Sequence, residues 1–452
     1  MSDTIAAIST GTGVSAIGIV RLSGDGAIDI VNRLFKPRSG KAMADCEDRR
    51  LIYGTLCDTD GAALDLCLCT VSNAPNSYTG ENTAELQCHG SPTVLRAALD
   101  AIFSLGARQA LPGEFTKRAF LNGRMDLTSA EAVADIIDAE TAEAAKNAAG
   151  QLGGAISRKI EAIYTSLTDI SSHYHAVLDY PDEDIEDFLL QSYECEISDA
   201  ISTLRRLSDS YAGGKIMQSG IPAAIIGRPN AGKSSLLNAV LGYDRAIVTD
   251  IPGTTRDTIE EKLRLGGVLL RLTDTAGLRD TEDVIEKMGV ERSRRAMETA
   301  ELVIGVIDGS RELAEEDLEI IRAAERAPKA IIVLSKSDLG KLCALPETDI
   351  PVVEISSVTG EGIDALGARI KELFPLPQVP AGEILTNARQ AEAVKRALEA
   401  MIAAGDAMAA GCTPDIVLTE TEGAMEALGE LTGRTVREDV TNRIFQRFCV
   451  GK

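Results

Sequence analysis

The sequence predicts a multidomain chain: an N-terminal α+β domain, an α-helical bundle domain, and an α/β domain inserted into the bundle. Three observations carry this. Apolar runs of strand length crowd the first 120 residues; long helical periodicities fill about 121–216 and return after 381; strand and helix patterns alternate between them, over 221–375. At 452 residues the chain also exceeds what one hydrophobic core supports. The expected domains are 1–120, 121–216, 217–377 and 378–452, the second and fourth forming one bundle.

In the first domain, Thr4–Ser9, Ala16–Leu22, Arg50–Cys57 and Ala63–Val71 read as strands, and Pro92–Leu105 has helical spacing. The strands then cease. Thr128-Ser-Ala-Glu131 has capping-box spacing, followed by an apolar stripe of Ala132, Val133, Ile136, Ile137 and Ala139. Helical patterns continue through Ile156–Val177 and Glu196–Met217; the acidic stretch Asp179–Asp187 between them reads as a solvated loop. In the α/β domain, Ala223–Ile226, Leu269–Thr273, Leu302–Ile307, Ala330–Leu334 and Val352–Ile355 are short apolar strands, which implies a mainly parallel doubly wound sheet. Leu265-Gly-Gly-Val268 predicts one hairpin within it. Phe374-Pro-Leu-Pro-Gln-Val-Pro380 reads as an exit linker, before helices over Ala388–Ala410, Ile416–Leu431 and Arg437–Phe448.

Composition narrows the function classes. Apolar residues make up 44% and charged residues 25%, as in ordinary globular proteins, and no apolar run reaches the ~18 residues of a spanning helix. The start, MSDTIAAIST, lacks the basic and apolar regions of an export signal, so a cytoplasmic location is expected. The cysteines, at 46, 57, 67, 69, 88, 195, 343, 412 and 449, are odd in number and show no zinc spacing; free thiols are expected, with Cys67 and Cys69 on one strand face filling core. A formal charge of −23 disfavours nonspecific binding to nucleic acid, so any such substrate needs a local patch or a basic partner.

The chemistry is concentrated in the inserted domain. Gly227-Arg-Pro-Asn-Ala-Gly232-Lys233-Ser234 matches GxxxxGK[ST] between a strand and a helix. Its glycines turn backbone N–H groups toward phosphates, Lys233 reaches the terminal phosphates, and Ser234 offers a hydroxyl to magnesium. Asn230, Ala231 and Ser235 complete this nucleotide-binding set. Asp274-Thr275-Ala276-Gly277 ends a strand, where an Asp holds magnesium through water and a Gly backbone senses the terminal phosphate. Ser335-Lys336-Ser337-Asp338 follows another strand, and a carboxylate there accepts the N1–H and exocyclic amine of guanine. The usual first residue of that motif is Asn, so Ser335 departs from it. Ser356-Ser357-Val358 falls where a base-facing loop belongs, and Thr254-Thr255 where a switch segment completes the magnesium shell. The domain is therefore expected to be a P-loop GTPase. Leu278 follows Gly277 where many small GTPases carry a water-orienting Gln, so water and charge must be handled by other groups.

With these motifs nested in a helical domain, the chain resembles the MnmE (TrmE) family of tRNA modification GTPases over its whole length. Three further segments carry the resemblance: Pro75-Asn-Ser-Tyr-Thr-Gly-Glu81, Pro112–Arg124 (PGEFTKRAFLNGR) and Phe448-Cys-Val-Gly-Lys452. The resemblance implies that Asn230, with backbone oxygens around Thr249, Ile251 and Thr254, binds a potassium ion that neutralises developing charge. It implies that Thr255 is the magnesium threonine and that the loop through Asp250, Pro252 and Gly253 belongs to the GTP site. Glu286, on residues alone an exposed helix charge, would orient the attacking water. The N-terminal domain would be folate-binding-like, taking 5,10-methylenetetrahydrofolate or its 5-formyl analogue through Arg21, Glu85, Arg124 and Lys452. A carboxylate such as Glu85 suits a pterin's amidine-like edge, and cations suit a glutamate tail. Cys449 would take part in the modification. On residues alone, Arg21 is a surface charge at a strand end and Lys452 and Cys449 are tail residues.

The implied reaction is joint. With MnmG, a partner using FAD and NADH, the family adds an aminomethyl or carboxymethylaminomethyl group to carbon 5 of the wobble uridine of certain tRNAs. The expected assembly is a homodimer that joins MnmG in a heterotetramer or larger complex. Two other classes remain in view: a GTPase switch in ribosome assembly, which predicts a basic or aromatic RNA-binding appendage against the 4% aromatic content seen here, and a noncatalytic folate-binding scaffold.

Overall fold

The structure is a computed structural model that describes residues 3–11, 13–179, 190–243, 261–272, 299–375, 377–435, 438–446 and 448–451. The chain forms two compact units, one of residues 1–134, 151–201 and 396–452, the other of 135–150 and 202–395. No described helix is long and apolar enough to cross a membrane.

The first unit contains a seven-stranded sheet built from β1 (Ile5–Ile8), β2 (Ile17–Ser23), β3 (Phe35–Pro37), β4 (Ile52–Cys57), β5 (Ala63–Ser72), β6 (Thr83–His89) and β7 (Arg108–Gln109), in the order β3-β4-β5-β6-β2-β1-β7. All neighbours are antiparallel except β1 and β7. Alternation assigns the faces. Val20, Leu22, Leu56, Cys67, Cys69, Leu86 and Cys88 point into a core closed by helices Ala27–Leu34 and Pro92–Ser104, while Arg21 and Glu85 lie on the opposite face. A Cβ at Gly18 would lie 2.4 Å from Leu95 Cδ1, so any larger residue there forces the Leu95 side chain to shift. Cys67 and Cys69 fill core as expected. The strand Thr83–His89 was not among the expected strands, although its residues alternate polar and apolar along its length. Further along the unit, helix Ala155–Asp179 buries Ile156, Ile160, Ile163, Leu167, Ile170 and Tyr174, a stripe of helical period, and it packs against helix Pro414–Thr432.

One local expectation is corrected. The helix after Arg124 spans Leu127–Asp138, and Asp126 caps it: its Oδ1 accepts the Ser129 N–H at 2.7 Å. Thr128 lies inside the helix, buried, and donates to Leu431 O at 3.3 Å. The cap falls two positions before the expected one, because tertiary packing claims Thr128. The stripe also differs, since Leu127, Ala130, Ala132 and Val133 are buried whereas Ile136 and Ile137 are exposed.

The second unit holds a six-stranded sheet, β8 (Ile221–Gly227), β9 (Glu261–Leu265), β10 (Val268–Leu272), β11 (Leu302–Asp308), β12 (Ala330–Ser335) and β13 (Val352–Ile355), ordered β13-β12-β11-β8-β10-β9. Its neighbours are parallel except for the β9–β10 hairpin, whose turn residues Gly266 and Gly267 have φ of 61° and 80°, as expected for a Gly-Gly turn. Every residue of β11 and β12 is buried, and two separate hydrophobic cores line the sheet, so it is doubly wound. The chain just past the exit linker is pinned: Asn147 Oδ1 accepts Gly382 N at 2.8 Å, its amide donates to Ile384 O at 3.0 Å, and Ser210 Oγ accepts Leu385 N at 3.0 Å. These bonds satisfy backbone groups that burial would otherwise orphan.

Candidate functional site

The nucleotide motifs converge at the carboxyl ends of four parallel strands, where open α/β sheets hold their ligands. Gly227 ends β8, Asp308 ends β11, Ser335 ends β12, and Ser356 follows β13. The phosphate loop turns through two left-handed residues, Asn230 with φ of 60° and Gly232 with φ of 100°, before helix Lys233–Tyr243 begins. Such a turn makes a concave row of N–H groups at a helix N-terminus, a built-in anion cradle. Lys233 Nζ donates to Gly227 O and Arg228 O, both at 2.7 Å. Burial lowers its pKa below the usual lysine value, because the ammonium is half desolvated beside neutral carbonyls. Ser234 and Asn230 stand at the exposed lip of this turn.

The base-recognition segment is braced from two sides. Asp338 is exposed, and its Oδ1 accepts the Ser356 hydroxyl at 2.7 Å; Ser356 Oγ in turn accepts Thr359 N at 3.2 Å. Lys336, left-handed with φ of 60°, donates from Nζ to Asp308 Oδ2 at 2.7 Å. Burial alone would raise the Asp308 pKa, but bonds from Lys336 and Ser310 outweigh it and hold the carboxylate ionised below its usual range. Ser335 is buried, and its hydroxyl donates to Ala231 O at 2.5 Å. Ser337 is half-buried, whereas Val358 is exposed. Arg228 reaches the helix Glu315–Glu325, pairing with Glu316 at 2.7 Å and Asp317 at 3.2 Å. Asp308, Arg228 and the bracing role of Ser356 were not foreseen; only the position of Ser356 after a strand pointed toward this site. Thr249–Thr255, Asp274–Gly277 and Glu286 lie outside the described residues.

In the first unit, the three family-like segments meet. Arg118 donates to Glu81 Oε2 at 3.0 Å, Asn122 Nδ2 to Thr79 O at 2.7 Å, and the Tyr78 and Thr116 hydroxyls are bonded at 2.9 Å, which joins segment 75–81 to segment 112–124. Residues 448–451 dock on the second of these and on the end of β1: Pro112 bridges Val450, Gly113 N donates to Cys449 O at 3.3 Å, and Ser9 Oγ donates to Gly451 O at 2.9 Å. Gly451 has φ of 97°, and a Cβ there would lie 2.4 Å from Ile8 O, so only glycine fits.

Arg21 and Glu85 face each other in register across β2 and β6, with Arg21 Nε 2.8 Å from Glu85 Oε1. Arg21 also lies over the rings of Tyr78 at 5.5 Å and Phe115 at 5.8 Å, within cation–π range. Burial raises the Tyr78 pKa, so its hydroxyl stays neutral. The Arg21–Glu85 pair presents one cation and one carboxylate, both partly accessible, on the sheet face next to this junction. Arg124 is exposed and its stem approaches Gly80. Cys449 is exposed, whereas Lys452 lies outside the described residues.

Among the described residues, Asp65, Cys67 and Cys88 bring potential ligand atoms within 4.8 Å of one another. Asp65 already accepts the N–H and Nδ1 of His89, both at 2.8 Å, and the Cys88 thiol is pushed far up by its bond to Cys67 and by burial. The carboxylate is satisfied and the Cys88 thiol stays protonated, as in ordinary core packing.

Residues 127–449 match the family model of the MnmE helical domain, and residues 4–124 match that of the GTP-binding protein TrmE N-terminus. The tRNA modification GTPases MnmE of Alkaliphilus oremlandii and of Clostridioides difficile are each 40% identical over 460 residues, covering 100% of this chain and 100% of each relative. That of Roseiflexus sp. is 42% identical over 465 residues, covering 100% of this chain and 99% of the relative. These matches span both the nucleotide motifs and the three converging segments, and the chain belongs to the MnmE (TrmE) family of tRNA modification GTPases.

Proposed function

We propose that the chain is a potassium-activated GTP hydrolase that works in tRNA wobble-uridine modification. The observation that carries the nucleotide half is the braced set of Lys233, Ser335, Asp338 and Ser356 at the strand ends. A phosphate entering the loop offers stronger acceptors than the carbonyls of Gly227 and Arg228, so the Lys233 ammonium redirects its N–H bonds to the terminal phosphates. Its lowered pKa reflects desolvation, which a dianionic ligand relieves. Asp338, held by Ser356, accepts the two N–H groups of guanine.

Magnesium and potassium would supply charge neutralisation at the terminal phosphates. The residues present fit both ions. Ser234 brings a hydroxyl to the first turn of its helix for magnesium, and Asn230 brings an amide oxygen to the exposed lip for potassium. Thr255, and the oxygens of Thr249, Ile251 and Thr254, would complete the two shells, and Glu286 would orient water.

The modification half rests on family membership and on the junction of segments 75–81, 112–124 and 448–451. Arg21 and Glu85 there suit the tail carboxylates and amidine-like edge of 5,10-methylenetetrahydrofolate, with Arg124 and Lys452 as further cations. Cys449, exposed and with its carbonyl bonded to the Gly113 N–H, would take part in the chemistry. The working assembly is a homodimer that joins a flavin-dependent MnmG partner, which supplies most of the tRNA-binding surface that a chain of charge −23 lacks. The setting is cytoplasmic.

The deciding experiment is deletion of the gene in its host with mass spectrometry of tRNA nucleosides. Loss of the modified wobble uridine, restored by wild type but not by Lys233→Ala, supports the proposal. An unchanged nucleoside profile sinks the modification half and favours a ribosome-assembly GTPase. For the ion, hydrolysis should be faster in potassium than in sodium, and Asn230→Ala should abolish the difference; equal wild-type rates in both salts reject it.

A further inference from the structure

Ser335 stands where this base-recognition motif usually carries Asn, and the structure gives it a different occupation. It is the last residue of β12 and 2% exposed. Its hydroxyl oxygen lies 2.5 Å from Ala231 O and 3.2 Å from Ile307 O. Its other neighbour is Gly232, where a Cβ would meet both Ser335 Cβ and Oγ at 3.2 Å. The side chain is therefore wedged between β11 and the phosphate loop, directly behind the two residues that precede Lys233.

A hydroxyl has one proton to give. The shorter contact takes it, so the proton goes to Ala231 O, and Oγ keeps only lone pairs. The edge of guanine that carries N7 and O6 presents acceptors alone. Lone pair against lone pair makes no bond. An Asn amide differs, because its two N–H groups and its carbonyl let it hold the loop and donate to the base together.

We propose that Ser335 is a strut for the phosphate loop that takes no part in reading the base, so this site recognises guanine on one edge only, through Asp338 braced by Ser356, and is indifferent to N7. This rests on the guanine-nucleotide assignment above and deepens it. Ser335 is a positioning residue, and base discrimination falls wholly on the 338–356 side of the pocket.

The test is calorimetric titration of the full-length protein with GDP and with 7-deaza-GDP, which replaces N7 by a C–H group. A hydrogen bond to N7 would appear as a loss of roughly threefold to tenfold for the deaza compound. The expected ratio of dissociation constants is below threefold, and a ratio of threefold or more overturns the proposal. Wild-type protein alone decides this point, so no variant has to fold. Ser335→Ala then examines the strut: it should weaken both nucleotides by one common factor, roughly threefold to tenfold. Unchanged affinity for both, or a loss confined to GDP, overturns that part. Binding of neither nucleotide by wild type would instead remove the guanine-nucleotide assignment, a result that a high ratio cannot mimic.

Discussion

Replacing Arg118 by Met should unfold the junction of the first unit far more readily than any surface substitution. Arg118 is 10% exposed and donates to Glu81 at 3.0 Å, to Glu114 at 3.0 Å and to Asp3 at 2.6 Å. Asp3 is 59% exposed, so that pair contributes at most about 1 kcal/mol. Glu81 and Glu114 are 15% and 10% exposed, and removing the shared cation leaves both charges in a desolvated setting. Breaking a buried pair by deleting one partner costs about 3–5 kcal/mol. Glu114 retains Arg108 and the Leu111 N–H, and Glu81 retains the Ser23 hydroxyl, so the low end, about 3 kcal/mol, is expected.

Hydrogen exchange read by mass spectrometry suits a protein of several units, because it reports each segment separately. Protection in peptides spanning 75–89 and 112–124 should fall about 100-fold. Adding Glu81→Gln removes one stranded charge and should restore about 1 kcal/mol or more. The pH dependence follows from Glu114. Burial pushes its pKa up, but bonds from Arg108, Leu111 and Arg118 prevail and hold it below its usual value of 4.5. A carboxyl with a depressed folded value stabilises the fold above pH 4.5 and loses that contribution as pH falls through its folded value. A loss of protection below about fivefold in Arg118→Met, or strict additivity with Glu81→Gln, would refute the network argument.

Three further outcomes are expected. Asp338→Asn exchanges an acceptor for a donor, so affinity should move from GDP toward xanthosine diphosphate, with GDP weakened about 100-fold; unchanged GDP binding would show that Asp338 does not face the base. Gly451→Ala should undock residues 448–451, because its Cβ meets Ile8 O at 2.4 Å, and exchange of the Gly113 N–H should speed up; unaltered exchange there would contradict the docking. Brief maleimide treatment should label the exposed Cys195, Cys412 and Cys449 and spare the buried Cys57, Cys67, Cys69, Cys88 and Cys343 until denaturant is added. Equal labelling of a buried thiol in the native protein would contradict its placement.

What the sequence made legible is what neighbours along the chain decide. The loop Gly227–Ser234, the hairpin at Gly266–Gly267, the parallel strands and the long helices follow from local spacing. What stayed hidden depends on distant partners. Arg118 meets Glu81 and Asp3, which are 37 and 115 positions away, and nothing in the order of residues marks that pairing. Asn147 bonds Ile384, just past the proline-rich linker, from 237 residues upstream, and nothing local marks that contact. Local spacing pointed to Thr128 as a cap, but its burial against Leu431, 303 positions away, left the cap to Asp126. Ser335 was visible as a departure from a motif, but its bond to Ala231, 104 positions away, gave the departure its meaning.

The docking of residues 448–451 has a temporal consequence. Residues 75–81 and 112–124 leave the ribosome early, yet the strand edge at Pro112 and the end of β1 at Ile8–Ser9 wait for Val450 and Gly451, made hundreds of codons later. At a synthesis rate of ~5–20 residues per second, that delay is on the order of half a minute. During it the N-terminal sheet can form, but the junction beside Arg21 and Glu85 stays open. A prematurely terminated chain would carry a complete phosphate loop and an unclosed first unit, so translation itself orders which half of the enzyme is finished first.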